Sequence, residues 1–496
     1  MFRYGKDHLT VHNALSIAKG QVNAALDDNA ISNIRASRSR VEHIVTSGRV
    51  VYGINTGFGP LCDTHISDAK TSVLQRNLLL THAVGVGEPI ARLLSKLMMV
   101  CKVHALSKGY SGITLEVVER LIYFIEHDLI PVVPCQGSVG ASGDLAPLSH
   151  LFLPLIGEGD FWIGDDIQDA QSVLKEHGLS PLELQAKEGL ALINGTQFIL
   201  AHAVVGIDKM GYLLDLADVS GAMSLEGFQG SASPFKEELH LLRPFKGSLM
   251  VAQRMRSLLK GSENIVSHQD CGRVQDPYSI RCIPQVHGAS RNALIHLNEL
   301  VEVELNAVTD NPIIISKDEA ISGGNFHGQP LAMALDYASL AASELGNISD
   351  RRCYLLLEGK YGLPRLLTEH EGLNSGMMIP QYTTAALASE NKSLCFPSSA
   401  DSIPTSLGQE DHVSMGSISG RKFNSILSNL EKILAIELML GAQALDFRRP
   451  LRCSPIIEVN YAIIRSMVDK LENDRLLKVD IDAMVSLVED RAIQVN

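Results

Sequence analysis

The segment from Arg421 to Leu440 carries the feature that most limits what this chain can fold into. Phe423, Ile426, Leu427, Leu430, Ile433, Leu434 and Leu438 recur at steps of three and four residues, which puts them on one side of a long α-helix. A stripe of that length needs other helices to cover it, and Pro450 forbids further extension. The stretches Ala289 to Leu305 and Leu331 to Leu345 read the same way, the second opened by Pro330. Glu88 to Gly109 repeats the pattern: Pro89 stands where a first helical residue would be, Gly109 where the chain would exit, and Ile90, Leu94, Leu97, Cys101 and Ala105 share one face. Strand signals are few and short: Arg49 to Tyr52, Pro131 to Val133 and Ile313 to Ile315. There is no internal repeat and no low-complexity tract. The expected fold is mainly α. Residues 1–205 form a mixed N-terminal part carrying loops, and residues 206–496 a long central helical bundle with a C-terminal helical region.

Composition narrows the function classes. The chain has 496 residues, 45% of them hydrophobic, enough to bury a large core without disulfides or a structural metal. A net charge of -13 argues against nucleic acid or an anionic membrane as partner. One tryptophan, Trp162, and 5% aromatic residues make a base-stacking platform unattractive. Of the cysteines Cys62, Cys101, Cys135, Cys271, Cys282, Cys353, Cys395 and Cys453, no two are spaced as CxxC, which fits reduced thiols in the cytoplasm. The first twenty residues lack a continuous apolar run, and no stretch of about 18 apolar residues exists to span a membrane. No HExxH or similar cluster is present, so no metal is expected, and no GxGxxG or P-loop opens a βα unit.

Four glycine-rich patches interrupt the helical pattern: Tyr52 to Gly59, Gly137 to Leu148, Gln275 to Cys282 and Ser322 to His327. Such loops between helices are plain turns or binding loops. The second contains Ala141-Ser142-Gly143, which has a chemistry of its own. In a tight turn the Gly143 amide nitrogen can attack the Ala141 carbonyl carbon, and loss of water closes a five-membered ring. Loss of a second water from Ser142 leaves an exocyclic methylidene, giving the electrophile 4-methylideneimidazol-5-one. Glycine suits the compressed backbone because it tolerates strained dihedral angles and has no β-carbon. Alone the tripeptide is a common sequence, and a simple turn accounts for it.

Its surroundings say more. GSVGASGDLAPLSH at residues 137–150 resembles the signature of the histidine and phenylalanine ammonia-lyase family, which includes tyrosine ammonia-lyases and 2,3-aminomutases. The likeness continues through YGINTGFG from Tyr52, LQRNLLLTHAVGVG from Leu74, LQAKEGLALINGTQ from Leu184, QDPYSIRC from Gln275, SGGNFH from Ser322 and QEDHVSMG from Gln409. It spans nearly the whole chain in the family's order. The resemblance implies the helical-bundle architecture of the fumarase/aspartase-like superfamily. It also implies the self-made methylidene-imidazolone cofactor, with no external one, and a homotetramer whose sites draw on three subunits. The fumarase and argininosuccinate-lyase group itself carries a GSSxMPxKxN loop, which this chain lacks.

Roles follow by resemblance. Tyr52 is the base, and a phenol with an ordinary pKa near 10 must be shifted down or act through a partner. Asp144 assists cyclisation. Arg281 clamps the substrate carboxylate, a task suited to a planar guanidinium, and Asn194 adds hydrogen bonds near carboxylate or amine. Tyr278 and Phe326 line the cofactor, with Gln275 and Asn325 hydrogen-bonding around it. Each residue also has a plainer reading: Tyr52 as a buried strand-end tyrosine, Asp144 as a turn residue, Asn194 as a cap, Arg281 in a surface ion pair and Phe326 in the core. Two positions bear on substrate choice. His82 follows Thr81, where histidine-specific relatives have a small hydroxyl residue, usually serine, before His. Glu410 stands where phenylalanine enzymes often have Gln. An imidazole and a carboxylate can hydrogen-bond the ring nitrogens of histidine, whereas a phenyl ring leaves both unpaired, at a cost of about 1–3 kcal/mol each. A structural His–Glu pair is the plainer reading, and His287 and Gly328-Gln329 sit at positions that vary among related enzymes. The expected activity is elimination of ammonia from L-histidine to trans-urocanate, with an aromatic amino-acid lyase or aminomutase as the alternative.

Overall fold

The computed structural model describes residues 1–67, 70–269 and 272–495; Cys271 lies outside them. Among the described residues it has nineteen α-helices and nine short strands, the mainly helical architecture that the apolar periodicity predicts. The chain folds into two compact units that interleave in sequence. One comprises 1–207, 297–336 and 397–421, and the other 208–296, 337–396 and 422–496.

The first unit holds all of the strands, in four small sheets. Phe2–Tyr4 runs parallel to Ala24–Leu26. Val86–Pro89 is antiparallel to Pro134–Gln136. Ile130–Pro131, Asp160–Ile163 and Asp166–Asp169 form an antiparallel trio, and Ile313–Ile314 pairs with Ala320–Ile321. Two expectations change here. Arg49 to Tyr52 is not a strand. The Asn55 side chain accepts from Val51 N at 2.9 Å and donates to Arg49 O at 2.9 Å, so one amide satisfies the backbone groups that a strand partner would have taken. Pro89 does not open the helix either. It ends the strand Val86–Pro89, and the helix runs from Arg92 to Leu106. From Ser95 to Leu106 every residue of that helix is buried, so both faces are covered, and Lys102 and His104 are enclosed with the apolar residues.

The second unit is built on helices. In Gly416–Asp446, the seven residues of the predicted stripe, Phe423 to Leu438, are all fully buried, each gaining about 1.5–3 kcal/mol from leaving water. Glu437 sits among them with no exposure. Its carboxylate accepts from Arg352 at 2.5 and 2.9 Å, Ser349 at 2.6 Å, Ser224 at 2.8 Å and Ser220 at 2.9 Å. Burial acts to raise its pKa, but Arg352 and the hydroxyls prevail and hold it below the ordinary value. His287 is enclosed in the same unit, its Nδ1 2.8 Å from the buried Asp218, which also accepts from Arg291 at 2.6 Å and Arg254 at 2.9 Å.

A buried ion pair costs most when half of it is removed. Arg352→Leu is expected to destabilise the protein by roughly 3–5 kcal/mol, read as a lower urea midpoint. The double variant Arg352→Leu/Glu437→Leu should recover part of that loss. A single variant as stable as the parent would refute this account of the pair.

Candidate active site

The turn that carries Ala141, Ser142 and Gly143 is shaped by its backbone, and Ala141 packs with Val413 and Met415. Three glycines in it, Gly137, Gly140 and Gly143, have φ of +124°, +73° and +77°, which other residues rarely adopt. Gly143 lies alongside Gly195 as an isolated parallel bridge. Asp144 N donates to Gly195 O at 2.7 Å and Gly195 N donates to Ser142 O at 3.4 Å. A β-carbon at residue 143 would be driven into the Gly195 carbonyl. Gly195 itself has φ +122°, and a β-carbon there would meet Gln197 Oε1 and Thr309 Oγ1 at 2.6 Å.

Asp144 fixes this turn to the long helix Gln197–Phe228. Its carboxyl is fully buried. Oδ2 accepts from the amides of Phe198 and Ile199, both at 3.0 Å, and Oδ1 from Ser138 Oγ at 3.1 Å. The free amides and the dipole of a helix N-terminus favour an anion there. Burial nevertheless pushes its pKa up to about 7, with the hydrogen bonds from Ile199, Ser138 and Phe198 opposing the shift. The residue is thus more than a turn aspartate.

A cavity of about 310 Å³ opens beside the turn. Tyr52, His82, Ser142, Asn194 and Glu410 all line it, so five residues singled out in the sequence converge from five separate segments. Ser142 Oγ donates to Glu410 Oε1 at 3.0 Å. The other oxygen, Oε2, accepts from Thr405 Oγ1 at 3.0 Å and Ser406 Oγ at 2.7 Å. Tyr52 Oη accepts from Gly59 N at 3.4 Å. Burial raises the Tyr52 phenol; the Gly59 amide opposes this, and the Glu410 charge adds to it. The phenol is therefore shifted away from what a free-standing base needs, and a partner must assist it. His82 ends the helix Thr71–His82. Burial lowers its pKa, with the Leu78 carbonyl and Glu410 pulling it back, which favours the neutral imidazole. Asn194 Nδ2 donates to Asn311 O at 3.1 Å.

The remaining residues lie elsewhere. Gln275 and Arg281 line a cavity in the second unit, and Tyr278, 70% exposed, lines another there. Arg281 stacks its guanidinium over the Tyr278 ring at 4.5 Å. Asn325 is exposed, donating to Val308 O at 3.3 Å, and Phe326 is half-buried; none of these five is among the residues lining the Tyr52 cavity. Thr405, Ser406 and Lys102 went unnoticed in the sequence. Thr405 and Ser406 are ordinary loop hydroxyls until Ser406 and Leu407 take left-handed φ of 50° and 55° and the loop folds back onto Glu410.

The contact at Gly143 gives a direct test. Gly143→Ala is expected to lower the urea midpoint by the equivalent of roughly 1–3 kcal/mol. Gly164→Ala is the control, since Gly164 has φ +61° with nothing near its added β-carbon and should lose less. Equal losses would mean that the Gly195 carbonyl does not constrain the turn.

Relatives place the chain among known enzymes. The sequence profile of the aromatic amino acid lyases matches residues 9–466. Histidine ammonia-lyase of Symbiobacterium thermophilum is 45% identical over 97% of this chain and 96% of its own length. That of Sorangium cellulosum is 48% identical over 92% and 91%. The crystal structure of histidine ammonia-lyase from Trypanosoma cruzi superposes with a TM-score of 0.91 at 41% identity, covering 99% of this chain and 94% of that one. Tyrosine aminomutase from Streptomyces globisporus gives 0.93 at 33% identity, covering 99% and 97%. With the family profile matched over residues 9–466 and relatives at 45% and 48% identity over nearly its whole length, this chain belongs to the aromatic amino acid lyase family.

Proposed function

We propose that this chain eliminates ammonia from L-histidine to give trans-urocanate, using 4-methylideneimidazol-5-one formed from Ala141, Ser142 and Gly143. The observation that carries the proposal is the wall of the 310 Å³ cavity, where the Ser142 hydroxyl meets Tyr52, His82, Asn194 and Glu410. Relatives that bear the name histidine ammonia-lyase, at 45% and 48% identity, support the choice of amino acid. The residues fit the cofactor: Gly143 approaches Gly195 so closely that no side chain is admitted, and Asp144, near neutrality, can hold or release a proton beside the ring to be closed.

Once formed, the group supplies an electrophilic carbon that draws electrons from the substrate. The chain supplies the rest. Tyr52 takes the β-proton, with the Gly59 amide stabilising its phenolate. A neutral His82 and the Glu410 carboxylate hydrogen-bond the two ring nitrogens of histidine, and Asn194 binds near the amine or carboxylate. Arg281 clamps the carboxylate, with Gln275, Tyr278, Asn325 and Phe326 completing the site from other copies in a cytoplasmic homotetramer. Leu340, Ile379, Tyr382 and Phe396 are each more than half exposed in the second unit, apolar area of the kind that subunit contact covers. Among the described residues no helix is long and apolar enough to cross a membrane.

Purified protein incubated with L-histidine is expected to produce urocanate, read by its absorbance. Intact mass should fall short of the translated sequence by two water molecules, and Ser142→Ala should show neither. Preferential turnover of L-tyrosine or L-phenylalanine, or release of a β-amino acid, would replace histidine as the assignment. Sharing of sites is tested by complementation. Tyr52→Phe and Arg281→Met should each lose activity by roughly 10²–10⁴, and co-expression should restore part of it in mixed tetramers. Mixed tetramers as inactive as either parent would place both residues in one subunit's site.

A further inference from the structure

Lys102 lies in the middle of the helix Arg92–Leu106 and is only 2% exposed. Among the described residues no carboxylate lies within ion-pair distance of it. Its ammonium instead donates to the carbonyl oxygen of Asn194. Burying a lysine this way is expensive, and an apolar residue of similar length would fill the space. Burial draws the Lys102 ammonium down to about 7; Asp310 supports its charge, Lys187 opposes it and Asp144 supports it. The neighbouring Lys187–Asp310 pair, 2.5 Å apart and buried, is self-contained, so Lys102 is not needed to neutralise Asp310.

The carbonyl it touches is one end of a peptide group whose other end is the Gly195 N–H, and that N–H donates to Ser142 O at 3.4 Å. A cation on the oxygen of an amide withdraws electrons and makes its N–H a better donor, since hydrogen bonds in a chain polarise one another. We propose that Lys102 is a positioning residue for maturation of the tripeptide, acting through the Asn194–Gly195 peptide group to orient and polarise the Ser142 carbonyl. This rests on the cofactor reading above.

The chemistry asks for such help at that oxygen. When Ser142 loses water, its Cα–H bond breaks and the proton passes to solvent. The electron pair left behind forms the Cα=Cβ bond, and the Cβ–Oγ bond breaks, with the hydroxyl leaving as water on taking up a proton. Negative charge builds on the adjacent Ser142 carbonyl as the Cα proton departs, and donors aimed at developing charge lower such barriers. The same N–H also holds the Ser142–Gly143 peptide against Gly195, fixing the direction from which the Gly143 nitrogen meets the Ala141 carbonyl.

The test follows the intact mass of the full chain at intervals after cell-free synthesis. The parent should acquire the two-water deficit; if it never does, the cofactor reading fails, whatever the variants show. Lys102→Met should fold, by circular dichroism and assembly size, yet mature roughly tenfold more slowly, and Lys102→Arg, keeping a cation, should recover most of the rate. Maturation of Lys102→Met at the parent rate would overturn the proposal. So would a folded Lys102→Arg as slow as Lys102→Met, because side-chain fit rather than charge would then be at stake. Should Lys102→Met fail to fold, Lys102→Arg decides alone: a parent-like rate upholds the proposal and a folded, unmodified chain refutes it.

Discussion

One carboxylate, that of Asp144, ties the glycine-rich turn to the helix on which the site is built. It is fully buried, yet both of its oxygens are engaged, two amides opening Gln197–Phe228 on one and Ser138 on the other. Its own amide holds the Gly195 carbonyl. The bonds that join the Ala141–Gly143 turn to Gly195 and to the helix Gln197–Phe228 meet at this junction. The left-handed φ of Gly143, its close approach to Gly195 and the exposure of the Ser142 hydroxyl to the cavity depend on the two loops being held edge to edge. An uncharged side chain could fill the volume but could not satisfy three donors at once. Its pKa, pushed up to about 7, shows that the cost of burying the charge outweighs the gain from those donors.

Two buried carboxylates of the second unit, Glu437 and Asp218, are managed differently. Glu437 and Arg352 form a pair saturated by three serine hydroxyls, and Asp218 gathers His287, Arg291 and Arg254. There burial is outweighed, and both carboxyls stay below their ordinary pKa. Such groups stay charged across the neutral range and serve packing. In the first unit a carboxyl and an amine beside the tripeptide turn, those of Asp144 and Lys102, are both drawn toward neutrality, as burial also draws Glu304 there and Glu226 in the second unit. Perturbed titration clusters where chemistry is done more often than where helices merely pack.

The helices were legible because packing requirements write themselves as period: every apolar residue named between Phe423 and Leu438 is buried. The cavity was legible for another reason, since several glycine-rich patches carrying polar residues interrupt the helices, and Tyr52, His82, Ser142, Asn194 and Glu410 do converge. Failures came where a side chain replaces backbone pairing. Nothing in the run Arg49 to Tyr52 announces that Asn55 will take the bonds a strand would have made. Lys102 was hidden for a similar reason, because a lysine one residue after Cys101 reads as the solvent face of an amphipathic helix, and only the covering of both faces makes it interior. Gln275, Tyr278 and Arg281 share a motif whose spacing says nothing about which cavity it serves.

In the proposed function, maturation and turnover share Glu410. Thr405 and Ser406 occupy one of its oxygens and the Ser142 hydroxyl the other. In the proposed reaction sequence, dehydration removes that hydroxyl, so Glu410 Oε1 loses its donor at the moment the electrophile appears. A carboxylate oxygen left unpaired in a half-buried cavity is costly, and the N–H of an imidazole restores the missing bond where a phenyl ring cannot. In that proposal the carboxylate that bonds the Ser142 hydroxyl becomes, by loss of that contact, the group that discriminates between substrates. In the same proposal His82, whose pKa burial lowers, offers the second ring nitrogen a partner without a second charge, and selectivity for a ring bearing two nitrogens would follow from that pair.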